Sequence, residues 1–163
     1  MLSRILLGIL VAGSWLGGCG QQSAEELFAA GEAAAADPAT ADQAIAHFTA
    51  FVEHFDQSPR APEALRKLAG LAQQQGKMQE AIGYYERVLA EYPASGHGDE
   101  AQFMIAFIYE EHIRDLEQAR RAYRRVIEHY PDSELATSAR HLLPNVGRAP
   151  QEWVQFQEEV AVP

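Results

Sequence analysis

Histidine and carboxylate side chains are the residues of this chain that could support catalysis or metal binding. No histidine pairs with a second one four residues away beside a glutamate, the helical arrangement that holds zinc in metalloproteases. His54 and His129 occupy the same offset of an internal repeat, which indicates repeat-surface residues, and His97 has no evident partner. We therefore predict no metal site. The six histidines lie at positions 47, 54, 97, 112, 129 and 141.

Adjacent carboxylates occur at Asp99-Glu100, Glu110-Glu111 and Glu158-Glu159. General acid–base catalysis needs one carboxylate desolvated so that its pKa rises, whereas these pairs fall in polar helix ends and in a tail. The chain also lacks a Gly-x-Ser-x-Gly motif and a phosphate-binding glycine loop. We therefore predict no enzyme, no catalytic residue and no cofactor.

Cys19 is the one cysteine, so the chain cannot form an internal disulfide or a site with two or more thiolates. It follows Arg4, an apolar run from Ile5 to Leu16 and two glycines, the layout of a secretory signal peptide. The run is shorter than the roughly 20 residues that a membrane-spanning helix needs. A permanent transmembrane span is therefore the weaker interpretation.

The segment Leu16-Gly17-Gly18-Cys19 resembles the lipobox of bacterial lipoproteins. The alternative is an ordinary signal peptide with a chance cysteine. The resemblance implies that residues 1–18 are removed, that Cys19 receives a diacylglycerol and an N-terminal acyl chain, and that residues 19–23 form a short tether. Several acyl chains give stable anchoring. The residue after the cysteine is Gly20 and not aspartate, which in this family implies the periplasmic face of the outer membrane over the inner membrane.

The rest of the chain contains one pattern three times, with periods of 37 and 38 residues. Its offsets of 0, 4, 7 and 11 place one alanine and three large apolar residues on one face of a helix. Pro93 and Pro131 follow at offset 12 in two copies and end the helix. The serine at offset 14 is a predicted N-cap for the next helix. The copies are Ala44, Phe48, Phe51, Phe55, Ser58, Ala64; Ala81, Tyr85, Val88, Tyr92, Ser95, Ala101; and Ala119, Tyr123, Val126, Tyr130, Ser133, Ala139.

A second helical segment precedes each copy, so the unit is a helix–turn–helix hairpin repeated in tandem. These segments are Ala24 to Ala36, Pro62 to Gln75 and Asp99 to Glu111, and the turns are Asp37 to Thr40, Gly76-Lys77 and His112 to Asp115.

The hairpins resemble the tetratricopeptide repeat, with Gly31, Ala69 and Ala106 at the small position of the first helix. The resemblance implies an all-α solenoid over residues 24–143, with three repeats and a capping helix at Glu134 to Leu143. The signature tryptophan is absent and the repeats are long. Such departures are common in envelope lipoproteins, such as the subunit of the outer-membrane β-barrel assembly machine and the repeat domain of the Tol-associated cell-division coordinator.

Residues 144–163 break the repeat pattern and form a C-terminal tail. Gln151 to Val160 predicts a short helix, with Trp153 and Phe156 on its apolar side, that is too short to be stable alone. We expect it to pack on the capping helix. The alternative is a free motif that docks on a partner.

The family resemblance implies a concave groove lined by the first helix of each hairpin. The segment Phe103 to Tyr109 is apolar on every side, so its helix is either buried all round or presents aromatic residues to a ligand. The groove positions are Glu25, Phe28 and Glu32; Glu63, Arg66 and Gln73; and Glu100, Phe103, Phe107 and Glu110.

The formal net charge of −10 makes a nucleic-acid partner improbable, because an acidic surface repels phosphate backbones. A basic strip nevertheless runs through the third repeat, where Glu117 and Arg121 form a predicted helix pair. The strip is either a solvated helix face or a surface that contacts anionic lipid headgroups or an acidic partner. The strip comprises Arg114, Arg120, Arg121, Arg124 and Arg125.

These features together predict a non-enzymatic, lipid-anchored scaffold that binds envelope proteins or peptides in its groove, with outer-membrane protein assembly as a more specific variant. The alternative is an accessory subunit that positions an enzyme of peptidoglycan or cell division. The sequence does not predict an oligomeric state.

Overall fold

The computed structural model describes residues 22–148, and within them the fold is all-α, with no strand. This confirms the predicted fold class. The predicted signal peptide, Cys19 and the predicted helix with Trp153 and Phe156 lie outside the described residues. The helices are α1 (Ala24–Ala35), α2 (Ala41–His54), α3 (Ala61–Gln74), α4 (Met78–Glu91), α5 (Gly98–Phe107), α6 (Leu116–His129) and α7 (Glu134–Leu142).

Consecutive helices pack on each other along the chain, so the fold is a solenoid of three hairpins, α1–α2, α3–α4 and α5–α6. The repeat pattern forms its core. Side chains at offsets 0, 4, 7 and 20 are buried in all three copies, which confirms the predicted face at these positions. The aromatic residue at offset 11 lies just after the end of the helix and is half-buried. None of the helices between residues 22 and 148 is long and apolar enough to cross a bilayer.

The small position of the first helix lies where the two helices of a hairpin touch. Ala69 and Ala106 are fully buried, and a Cβ added at Gly31 would lie 2.8 Å from the Phe48 ring. Phe48 packs edge-on against Phe28, with ring centroids 5.3 Å apart. The first hairpin therefore uses glycine here, because its helix contact is filled by two phenylalanine rings.

The tyrosine at offset 11 packs back on the entry to its own hairpin in the second and third repeats. Tyr92 donates a hydrogen bond from its hydroxyl to the carbonyl of Asp56, over 2.8 Å, in the preceding inter-repeat loop. Tyr130 lies over Gly98 so closely that a Cβ there would overlap its hydroxyl. The repeated spacing thus places the end of the second helix against the entry to the first helix in these two hairpins.

The predicted serine caps are confirmed at one helix and wrong at two. Ser133 accepts a hydrogen bond from the N–H of Ala136 and caps α7. Ser58 and Ser95 accept instead from the N–H groups of Arg60 and His97, which themselves occupy the N-cap positions of α3 and α5. The hydroxyls therefore stabilise the loop that leads into each helix.

The three hairpin turns differ because their lengths differ. A 3₁₀ turn at Pro38–Thr40 joins α1 to α2, and a π-helical segment at Ile108–Ile113 continues α5. This segment extends the helix beyond the predicted end at Glu111. It ends at Arg114, whose φ of 63° is left-handed. A π turn accommodates an inserted residue within a helix, which fits the second period of 38 residues against 37 for the first.

Helix α7 covers the open end of the third repeat by packing on α6 and α5. A 3₁₀ turn at Leu143–Asn145 follows, and the next side chain, Val146, is buried in the core. This agrees with the predicted capping role of the seventh helix.

Candidate partner-binding groove

The first helices of the hairpins, α1, α3 and α5, carry the predicted groove residues, and their charged side chains largely pair with one another. The Arg60 guanidinium lies 3.5 Å from Glu25, 3.8 Å from Glu32 and 3.3 Å from Glu63. Lys67 lies 3.4 Å from Glu32. These pairs link α1 to α3.

Arg66 of α3 pairs with Glu100 of α5 and continues the charged network across the second and third repeats. Both side chains are partly exposed, so the pair adds little to stability. The ion pairs neutralise most of the charge on this face, because four glutamates lie opposite three basic side chains, those of Arg60, Arg66 and Lys67. Recognition on this face must therefore depend mainly on its apolar groups.

Phe28 lies in the core and not on an open groove surface, which corrects the prediction for this residue. Its ring is fully buried and packs edge-on against Phe48 and Phe51 at 5.3 and 5.2 Å. The Arg60 guanidinium lies 3.4 Å from its centroid, a cation–π contact that closes the outer side.

Gln73 and Glu110 occupy equivalent positions and bind the tyrosine of their own hairpin. Gln73 donates a hydrogen bond from Nε2 to the Tyr85 hydroxyl over 3.1 Å. The Tyr123 hydroxyl donates to Glu110 Oε2 over 3.0 Å. This corrects the groove assignment of Glu110, whose side chain is buried, and shows that Gln73 is engaged within the fold.

Glu110 also holds the C-terminal segment of the solenoid. Its Oε1 accepts a hydrogen bond from the backbone N–H of Gly147 over 3.2 Å, and the residue is only 8% exposed. Burial, and then the negative charge of Glu110, raises the pKa of Tyr123 far above its ordinary value. The carboxylate therefore joins α5, α6 and the residues after α7.

Phe103 and Phe107 form the apolar part of the groove face. Phe103 is half-buried, with its ring edge-on to Tyr123 at 5.5 Å. Phe107 is 36% exposed, the one large apolar side chain in that class between residues 22 and 148. Ile105 and Ile108 are buried. The helix thus combines the two alternatives, because it is buried on one side and presents aromatic residues on another.

The equivalent of Phe107 on α3 is Gly70, and a Cβ added there would meet no atom within 4 Å. The groove face thus has open space on α3 at the position where α5 carries its exposed aromatic ring.

Two tetratricopeptide repeat family models match this chain, one over residues 23–96 and the other over residues 100–133. The chain therefore contains tetratricopeptide repeats. The first match spans the hairpins α1–α2 and α3–α4, and the second spans most of α5–α6. Tetratricopeptide repeats indicate a protein–protein interaction scaffold. No curated protein matches the sequence at a significant level.

The arginines of the basic strip lie in different surroundings. Arg120 lies 3.1 Å from Glu117 and donates a hydrogen bond to the Val146 carbonyl. The predicted pair of Glu117 with Arg121 is therefore wrong, because Glu117 pairs with the residue three positions later. Arg124 is exposed.

Arg121 and Arg125 line a cleft of about 240 Å³ between α4, α5 and α6. Gln102 of α5 also lines it, and sequence inspection missed this residue. The available signal was a glutamine in a helix whose other residues after Glu100 are apolar.

The histidines are dispersed over the solenoid. Between residues 22 and 148 there is no group of three or more histidine, cysteine, aspartate or glutamate side chains placed to hold a metal ion. His54 and His129 are both exposed.

Proposed function

We propose that this protein is a lipid-anchored tetratricopeptide scaffold of the bacterial envelope, which holds a partner protein or peptide against the face formed by α1, α3 and α5. The observation that carries the proposal is the exposure of Phe107 beside half-buried Phe103 on that face.

Aromatic side chains are the residues that most often dominate binding energy in protein interfaces. Phe107 and Phe103 lie four residues apart, so they share one side of α5. Open space lies at Gly70 on the neighbouring helix. An apolar side chain of a partner placed there would cover the Phe107 ring without breaking an ion pair of the groove.

The anchor and the compartment rest on Leu16-Gly17-Gly18-Cys19 and on Gly20. A lipid on Cys19 would place the solenoid near the periplasmic face of the outer membrane, because only residues 19–23 precede α1. Outer-membrane protein assembly is the more specific role that we propose for the scaffold.

Site-specific photo-crosslinking in the native envelope tests the groove. A photoreactive phenylalanine analogue replaces Phe107 in one variant and Arg124, an exposed residue of the second helix of that hairpin, in the control. We expect one defined protein adduct at position 107 and none at position 124. Identical adducts at the two positions, or none at either, would contradict a specific groove.

Membrane fractionation tests the anchor separately. Cys19→Ala should release the protein from the membrane fraction, since both lipid attachments require this residue. Unchanged membrane retention would contradict the lipoprotein interpretation and would leave the groove proposal unaffected.

Two results would replace the scaffold with another role. If the position-107 adduct is an enzyme of peptidoglycan or cell division, the protein is an accessory subunit that positions that enzyme. If affinity capture returns no partner while the purified protein binds glycan strands or turns over a substrate, the scaffold proposal fails.

A further inference from the structure

The cleft between α4, α5 and α6 has a buried floor and charged walls. Gln102 and Ile105 of α5 form the floor, at 4% and 5% exposure. Arg121 and Arg125 of α6 stand on one side and Glu86 of α4 on the other, all three exposed.

Gln102 is the unusual group in this cleft. Its Nε2 is buried and has no hydrogen-bond partner within residues 22–148. An unpaired buried donor costs free energy unless an acceptor reaches it. Because the side chain lines the cleft, an acceptor bound there can supply the missing partner of this amide.

The two guanidinium groups select the charge of that acceptor. Arg121 and Arg125 form no ion pair within the described part of the chain, whereas Arg60, Arg66, Arg87 and Arg120 do. They are four residues apart and share a face of α6. Planar guanidinium groups bind carboxylates with two parallel hydrogen bonds. The negative charge of Glu86 on the opposite wall would repel a doubly charged phosphate more strongly than a singly charged carboxylate.

We propose that this cleft binds a carboxylate group of a partner protein, held by Arg121, Arg125 and the amide of Gln102. The cleft is independent of the groove proposed above, because Gln102 and Ile105 lie on a different side of α5 from Phe103 and Phe107. The protein would then contact acidic residues on one side and apolar residues on the other.

Nuclear magnetic resonance of the isotopically labelled protein at low salt tests the proposal. The probe is N-acetylglycine, which carries one carboxylate, and its matched control is N-acetylglycinamide, which carries none. We expect N-acetylglycine to shift the side-chain signals of Gln102, Arg121 and Arg125, with a Kd on the order of millimolar for so small a ligand. The amide should leave them unchanged.

Variants separate the cleft from general attraction to a basic helix. Arg121→Gln should weaken binding about tenfold, since it removes a charge-assisted hydrogen-bond donor. Arg124→Gln removes the same charge from the same helix outside the cleft, so binding should be unchanged. Equal weakening in the two variants would overturn the proposal.

Gln102→Leu tests the floor. We expect it to weaken N-acetylglycine binding about tenfold while leaving the unfolding midpoint unchanged or higher, because it removes an unpaired buried amide. A lowered midpoint would show that the amide is satisfied within the fold and would overturn its role. Inorganic phosphate and vesicles containing anionic lipid are tested in parallel. Binding of either in place of N-acetylglycine would overturn the assignment to a protein carboxylate.

Discussion

Replacing Glu110 should show that one buried carboxylate holds together three parts of the solenoid. Its two oxygens accept hydrogen bonds from the Tyr123 hydroxyl over 3.0 Å and from the Gly147 N–H over 3.2 Å. A hydrogen bond to a charged group contributes about 1.5–3 kcal/mol. Glu110→Ala removes both acceptors and strands the hydroxyl of Tyr123, which is fully buried. We expect a loss of about 3–5 kcal/mol, a large part of the 5–15 kcal/mol that is typical of a domain.

Glu110→Gln separates the loss of charge from the loss of acceptors. The amide keeps one oxygen for Gly147 and offers its NH₂ to Tyr123, whose hydroxyl can reverse and accept. We therefore expect a smaller loss, about 1 kcal/mol. Glu111→Ala is the matched control, because Glu111 is an exposed neighbour with the same charge. It should stay within about 0.5 kcal/mol of the parent.

Urea unfolding followed by circular dichroism gives the free energies, provided that the slope with urea is unchanged. Hydrogen exchange at the Gly147 amide gives the local effect, which should be a loss of protection in Glu110→Ala that is greater than the global destabilisation explains. If Glu110→Ala were no more damaging than Glu111→Ala, or if Gly147 kept its protection, the structural role assigned to this carboxylate would be refuted.

Three further predictions concern the packing and the pH dependence of the solenoid. Arg60→Ala should lower the free energy of unfolding in urea by about 1–2 kcal/mol, since it uncovers the Phe28 ring and removes weak ion pairs. Arg60→Lys should show a smaller loss. Gly98→Ala should lower the free energy of unfolding by about 1 kcal/mol, because the new methyl group overlaps the Tyr130 hydroxyl. The loss should be smaller when Tyr130→Phe is also present. An equal loss with and without Tyr130→Phe would contradict the contact. Because the pKa of Tyr123 is raised above its ordinary 10.0, the folded state keeps a proton that the unfolded state releases. The contribution of Tyr123 to stability should thus be full below pH 10 and fall above it by up to about 1.4 kcal/mol per pH unit, and Tyr123→Phe should make the measured slope shallower by that amount.

The helices and their core could be predicted because one spacing occurs three times. A single set of offsets assigns the buried face of the second helices and the small residues of the first helices, so each copy supports the others. The turns could not be predicted in the same way. The second period, 38 residues, is one residue longer than the first, and its extra residue enters a π segment, Ile108–Ile113, rather than a loop.

The groove was predicted less well, because a position in a family pattern does not say whether a side chain is already engaged. Phe28 occupies a groove position, but its ring fills the contact between α1 and α2 beside two other phenylalanines. Glu110 occupies another, but the π segment and the C-terminal turn enclose it. Burial of this kind depends on neighbours distant in sequence.

Comparison of the three hairpins shows a signal that could have identified these engaged positions. Where the second helix carries a tyrosine at offset 4, the first helix carries a polar partner: Gln73 for Tyr85 and Glu110 for Tyr123. The first hairpin has Phe48 at that offset and needs no such partner. A hydroxyl buried in a helix contact must be hydrogen-bonded, so the tyrosines themselves predict that Gln73 and Glu110 point inward.

This pairing narrows where a ligand can bind on the groove face. Phe28 is buried, Gln73 and Glu110 serve their own tyrosines, and Arg66 pairs with Glu100. The apolar side chain that remains for a ligand to contact is Phe107, with the half-buried Phe103 behind it. The side of α5 that carries Gln102 faces the cleft between α4, α5 and α6 instead. If both proposals hold, the third repeat is the binding module, and the first two repeats set its distance from the membrane and support α5 from one side. A partner that needed the groove of the first repeat would contradict this division, because the side chains that such a partner would contact there are either buried or already paired.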